Sequence, residues 1–144
     1  MGGNGKMNVF LDTNVVVDFM GEREGFFEDA ALIFTMAKDK LINISISALT
    51  VVNCAYILKK AFNNDDVLSK VDALCKFLDI TPINNTILQG AVSLKPYDFE
   101  DAVQFLSSLE CRPDLIITRD KKGFNNFGIM VMTPSEFVEK VKAN

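Results

Sequence analysis

The chain has 144 residues, 49% hydrophobic and 24% charged, with a net charge of −4 and no histidine. That length allows one domain burying roughly 68–70% of its unfolded surface. The acidic balance argues against a broad basic nucleic-acid footprint, and the absence of histidine removes Ser-His and Cys-His catalysis, histidine zinc sites and histidine bases together.

We read a single domain over residues 7–144, with the Gly-rich residues 1–6 (MGGNGK) as a tag remnant or a frayed end. Cys54, Cys75 and Cys111 are widely spaced and form no C-x-x-C pair, which indicates neither a disulfide framework nor a zinc knuckle. Cys54 and Cys75 fall in helical apolar patterns and read as buried thiols, in keeping with a reducing cytoplasm. The longest apolar run is cut by Asp12, Asn14 and Asp18, so no membrane span is expected.

Met7 to Leu11 (MNVFL) reads as a buried strand, and Val15 to Met20 as the start of a helix. Phe26, Phe27, Ala30, Ala31, Phe34 and Ala37 recur at helical spacing. Ile42 to Ile46 is a second strand, and Ser47 caps a helix that runs to about Phe62. Asp65 or Asp66 caps the next helix, which carries Val67, Val71, Leu74, Phe77 and Leu78. Ile80 to Ile83 contains Pro82 and reads as an edge strand; Ile87 to Leu94 reads as helix. Asp98 to Leu109 is a helix with Ala102, Phe105, Leu106 and Leu109 on one face. Asp114 to Thr118 and Ile129 to Met132 are strands, and Thr133-Pro134-Ser135-Glu136 opens a final helix with proline first and a capping-box acid. Strands alternate with helices throughout, which predicts a three-layer α/β/α sandwich around a central parallel sheet.

Three acids stand where such a fold gathers ligands, beyond the carboxyl ends of its strands. Asp12 ends the first strand, Asp101 lies in the first turn of the helix beginning near Asp98, and Asp120 follows the strand ending at Thr118. Each also has a plainer reading. Asp98 is a good N-cap and Asp101 a helix-start acid favoured by the dipole; Asp120 suits an exposed turn. Asp12 is hardest to explain so, because a charge against a buried strand is costly without a partner. Two like charges about 4 Å apart repel by roughly 4 kcal/mol at an effective dielectric near 20. A shared cluster therefore calls for a proton or a divalent cation, and oxygen-only ligands favour Mg2+ or Mn2+ over zinc. Metal-dependent phosphodiester hydrolysis suits such a set without histidine.

These residues together resemble the PIN-domain family of ribonucleases, which includes the VapC toxins of toxin–antitoxin pairs. The resemblance rests on Phe10-Leu11-Asp12-Thr13-Asn14, Ile46-Ser47-Ala48-Leu49-Thr50, Asp98-Phe99-Glu100-Asp101-Ala102, the run from Ile116 to Phe124 (IITRDKKGF) and the ending from Val131 to Phe137 (VMTPSEF). It implies a PIN-like sandwich and a Mg2+- or Mn2+-dependent endoribonuclease, with Asp12, Asp101 and Asp120 as catalytic metal-site acids. Asn14 and Thr118 match residues that support them, and Asp98 matches an acid that supports the third. The resemblance also implies an antitoxin partner and a homodimer. The apolar helices around Phe26-Phe27 or from Val67 to Leu78 are candidate interfaces. Arg119, Lys121 and Lys122, with Lys59 and Lys60, are candidate contacts to RNA phosphates. Tyr56 and Tyr97 offer base stacking, although partly buried packing is the expectation.

One position departs from the pattern. The family usually places a glutamate on the helix after the second strand, where this chain has Asn53, as does a family subgroup that it resembles closely. Asparagine offers a carbonyl oxygen without charge, so metal affinity is expected to fall. This motivates an alternative, a catalytically weak PIN-like domain that binds RNA or protein. A phosphatase of the haloacid dehalogenase type also starts with an aspartate after a strand, but it typically needs a second aspartate two residues on, where this chain has Asn14.

Overall fold

The computed structural model describes residues 5–143. Most of the segment read as a tag or frayed end, residues 1–4, lies outside the described residues, as does residue 144.

The apolar runs form five strands, β1 (Met7–Leu11), β2 (Ile42–Ser47), β3 (Asp79–Thr81), β4 (Leu115–Ile117) and β5 (Val131–Met132), in one sheet of order β3-β2-β1-β4-β5. Every pairing is parallel: Val9 lies opposite Ile44 on one side and Leu115 on the other. The intervening helices are α1 (Thr13–Met20), α2 (Phe27–Lys38), α3 (Ala48–Leu58), α4 (Asn64–Phe77), α5 (Asn85–Ser93), α6 (Phe99–Ser108) and α7 (Pro134–Ala143).

Side chains alternate across a strand, and the two faces of the sheet meet different partners. Val9, Leu11, Ile44, Ile46, Leu115 and Ile117 point into the larger core with Val15 to Val17 of α1, Ile33 and Phe34 of α2, Cys54 of α3, Leu74 of α4 and Phe137 of α7. Phe10 and Ile116 point the other way, against Phe124, Phe105 and Phe127. On that side α6 covers the sheet, and Ile87 and Ala91 of α5 pack on Ala102 and Val103. The result is the three-layer α/β/α sandwich that the alternation predicts.

Caps fix where the helices start. Ser47, Asn63, Asn84 and Asp98 each accept from the backbone N–H three residues on, at 2.8–3.1 Å. At α7, Thr133 Oγ1 accepts from the Glu136 N–H at 3.1 Å while Glu136 Oε1 accepts from the Thr133 N–H at 2.9 Å, the reciprocal capping box read from sequence.

Several boundaries differ from expectation. The cap of α4 is Asn63 rather than Asp65 or Asp66, which sit inside its first turn, where the helix dipole favours them. β3 ends at Thr81, before Pro82, whose missing N–H removes a ladder donor. α3 stops at Leu58, and the next four residues form turns. Cys75 is exposed rather than buried, because Leu74 takes the core-facing place in that turn of α4. Cys54 is buried, and burial pushes its thiol up to about 12. No helix among the described residues is long and apolar enough to cross a membrane.

The chain steps outward from β1 through β2 to β3, then returns to the other side of β1 for β4 and β5. The strand order reverses between β1 and β4, and their carboxyl ends flank the crevice where open parallel sheets place ligands. Phe10 is fully buried on the smaller face. Phe10→Ala should cost about 3–5 kcal/mol in urea denaturation by leaving a cavity between β1 and α6.

Candidate active site at the carboxyl edge of the sheet

Asp12 leaves the end of β1 directly into that crevice, and its own N–H bonds to the Ile117 carbonyl of β4 at 3.0 Å. Its side chain is only 8% exposed, so the charge needs partners. It has three. Oδ1 accepts from the Thr13 N–H at 2.9 Å and from Gln104 Nε2 at 3.1 Å, and Oδ2 accepts from the Thr118 hydroxyl at 2.8 Å. A carboxylate offers four lone-pair directions, so one, on Oδ2, remains for a ligand.

The partners are themselves held. The Thr118 hydroxyl accepts from Asn14 Nδ2 at 3.2 Å and from the Asp120 N–H at 3.1 Å, and Asn14 Oδ1 accepts from the Arg119 N–H at 3.2 Å. Asn14 and Thr118 thereby join α1, β4 and the turn that carries Asp120. Gln104, fully buried, donates to Thr50 Oγ1 at 2.7 Å and accepts from the Ser47 hydroxyl. Gln104 was missed in the sequence reading. Its signal was there: it lies three residues after Asp101 on α6 and so shares its face.

A cleft of about 310 Å3 opens over Asp12 and is lined by Asn14, Arg23, Asp98, Glu100, Asp101 and Asp120, among others. All three acids singled out by sequence line this one cleft. Asp98 caps α6 as its position foretells, accepting from the Asp101 N–H. Asp120 is exposed and caps a short 3-10 turn, Lys121–Phe124, through the Lys122 N–H at 3.4 Å. Asp101 is half-buried, and its carboxyl is pushed up to about 7, first by loss of solvent and then by the negative charges of Asp12, Asp98, Asp120 and Glu100. The backbone of that 3-10 turn runs against it: a Cβ on Gly123 would stand 1.7 Å from Asp101 Oδ2, so a larger residue there would displace the Asp101 carboxyl.

Glu100 is a further residue that the sequence reading passed over. It accepts from Asn53 Nδ2 at 3.1 Å, across from α6 to α3. Its carboxyl is raised by burial and by Asp12 and Asp98, against the lowering effect of the Asn53 bond.

The donor set is oxygen-only and strongly negative, the chemistry that a hard divalent cation fits. Among the described residues, no three carboxylates or thiols are already gathered closely enough to share one ion. The fit therefore lies in donor type and charge rather than in a closed coordination shell.

The basic residues divide. Arg119, read from sequence as an RNA contact, is committed inward: Nε and Nη2 donate to the buried Asp18 at 2.6 and 3.2 Å, and its guanidinium lies 4.0 Å from the Phe26 ring centroid. Asp18 is fully buried, and Arg23 approaches it at 3.9 Å. The unpaired cost of that charge explains why Arg119 turns away from solvent. Lys121 pairs with Glu136 at 2.9 Å. Lys122 is exposed, 4.8 Å from the Tyr97 ring centroid, while Lys59 and Lys60 lie over Tyr56. Tyr56 and Tyr97 are 58% and 75% exposed rather than half-buried. Arg23, beside the cleft, went unnoticed in the sequence.

The family model described as PIN domain matches residues 8–122. No curated protein sequence matches the chain. Among solved structures, a toxin–antitoxin complex from Klebsiella pneumoniae is similar at 22% identity and TM-score 0.64, over 88% of this chain and 97% of that one. VapC20 of Mycobacterium tuberculosis, described as a sarcin-ricin loop cleaving toxin, is similar at 12% identity and TM-score 0.66, over 85% and 96%. FitAcB from Neisseria gonorrhoeae is similar at 19% identity and TM-score 0.64, over 88% and 98%. At these identities the structural likenesses establish the fold.

Two outcomes follow from the charges. Arg119→Ala strands Asp18 in the interior and should cost about 3–5 kcal/mol in urea denaturation, whereas Asp18→Leu/Arg119→Met should recover most of it. In the metal-free protein Asp101 binds its proton more tightly folded, near 7, than unfolded, near 3.8. Its contribution to stability is therefore neutral below about pH 4 and becomes increasingly unfavourable up to about pH 7. Asp101 should therefore pull the melting temperature down across that window, and Asp101→Asn should gain melting temperature relative to the native chain as pH rises from about 4 to 7.

Proposed function

The chain belongs to the PIN-domain family, and from that premise we propose that it is a Mg2+- or Mn2+-dependent endoribonuclease. One observation carries the reading: a buried, triply hydrogen-bonded Asp12, with one lone pair unused, lines a cleft that also holds Asp101 and Asp120. Nucleases of this family typically use divalent metal ions. Such an ion, when bound, supplies Lewis-acid polarisation of the phosphoryl oxygen and a bound water of lowered pKa.

The chain's own residues have separate tasks. Asp12, Asp101 and Asp120 would hold the cation, with Asp12 as the fixed ligand because Gln104 and Thr118 leave it one orientation. Asn14 and Thr118 set the turn bearing Asp120, and Asp98 sets the first turn of α6. Gly123 brings backbone against the Asp101 side chain. Lys122, beside the exposed Tyr97, offers a phosphate contact next to a base-stacking ring. Lys121 is partly spent on Glu136, and Arg119 on Asp18.

The toxin–antitoxin complex among its structural neighbours supports a role as the toxin of such a pair, restrained by an antitoxin; pairing with a second copy of the chain is part of the same proposal. A second reading, a weakly catalytic RNA- or protein-binding domain, is favoured by Asn53 alone.

RNA cleavage in Mn2+ separates the two. Asp12→Asn should lose about 100-fold or more, since loss of even an outer partner of a metal ligand costs ~10–100-fold. Equal cleavage by both proteins would remove this cleft from the chemistry.

A further inference from the structure

We infer that Glu100 supplies the carboxylate that position 53 lacks, reaching the cleft from α6, with Asn53 as its positioning residue. This rests on the nuclease reading above and concerns which residues face the cation.

Glu100 occupies the second position of α6, where an acid needs only the helix dipole and water. Glu100 is exposed there, yet its side chain is not left to water alone. The cap is already made by Asp98, and the Glu100 side chain crosses to α3, where Asn53 Nδ2 donates to Oε1 at 3.1 Å. The same side chain lines the cleft with Asp12 and Asp101.

The residue types at the two ends are then complementary. A carboxylate at 53 would face the Glu100 carboxylate, and two like charges at that range repel. An amide there donates instead to one carboxylate oxygen, and the other keeps its lone pairs. The longer glutamate arm, one methylene beyond aspartate, spans the distance from α6 to α3. The negative charge lost from α3 is thus carried by α6, and the departure at Asn53 does not leave the cleft short of ligand charge.

The experiment is calorimetric titration of Mn2+ into the full chain without RNA, beside metal-free melting curves. The proteins are the native chain and the variants Asp12→Asn, Glu100→Gln, Asn53→Ala and Asn53→Glu/Glu100→Gln. We expect Asp12→Asn to abolish binding. Glu100→Gln should weaken it about tenfold or more, with a metal-free melting temperature equal to or above that of the native chain, since a repulsive charge has gone. Asn53→Ala should fall between, because the carboxylate stays but loses its tether. The double variant, which moves the charge back to α3, should return to within about threefold of native affinity.

Native affinity in Glu100→Gln, alongside loss in Asp12→Asn, overturns the role of Glu100 and leaves the nuclease reading standing. A native chain that binds no Mn2+ at millimolar concentration overturns both. Should Glu100→Gln melt far below the native chain, the double variant decides: recovery of affinity supports the inference, and continued loss in a folded protein refutes it.

Discussion

One carboxyl group set at the end of the central strand governs the layout around it. Asp12 is nearly closed off from water, and only a full set of hydrogen bonds makes that tolerable. Its donors come from α1, α6 and β4, so satisfying a single side chain locks three elements together. The polar residues otherwise out of place in the interior, Gln104, Thr50, Ser47 and Thr118, are the outer ring of that arrangement. Fully satisfied networks of this kind rigidify, whereas a half-satisfied one is costly. The described residues leave no buried side-chain polar atom without a partner.

Around this fixed charge, α6 carries most of the remaining chemistry. In two turns it presents Asp98 at its cap, then Glu100, Asp101 and Gln104. Its opposite side delivers Ala102 and Val103 to the apolar contact with α5. A helix start is the one place where several acids are electrostatically welcome, because the dipole offsets part of their repulsion. The Asp101 carboxyl is raised first by burial and then by the neighbouring acids, whose repulsion the dipole does not fully offset. The excess negative charge is a property of the cleft as a whole, drawn from three separate stretches of chain.

The layered fold was legible because each strand is a short apolar run and each helix shows its own spacing, as Val67, Val71, Leu74 and Leu78 do. Asp12 stood out for the same reason: it interrupts apolar residues where a loop residue would be unremarkable. What sequence did not show depends on partners brought from far along the chain. Arg119 and Asp18 stand 101 positions apart, and nothing local distinguishes a guanidinium that will turn inward from one that will meet phosphate. Glu100 and Asn53 each look like ordinary helix residues, and their relation exists only after α6 has packed beside the sheet. Tyr56 and Tyr97 were read by average aromatic behaviour, which fails where a ring shares its surface with lysine ammonium groups. Boundaries shifted for local causes, a proline after β3 and an asparagine rather than an aspartate before α4.

The sheet ends on one side in a strand of three residues and on the other in a strand of two. Strips so brief expose too few unpaired amides and carbonyls to template another chain. Growth of the sheet from molecule to molecule is thereby closed off. Contact with any other polypeptide is left to the outer helices, where side-chain shape and charge, rather than generic main-chain bonding, decide which polypeptide is accepted.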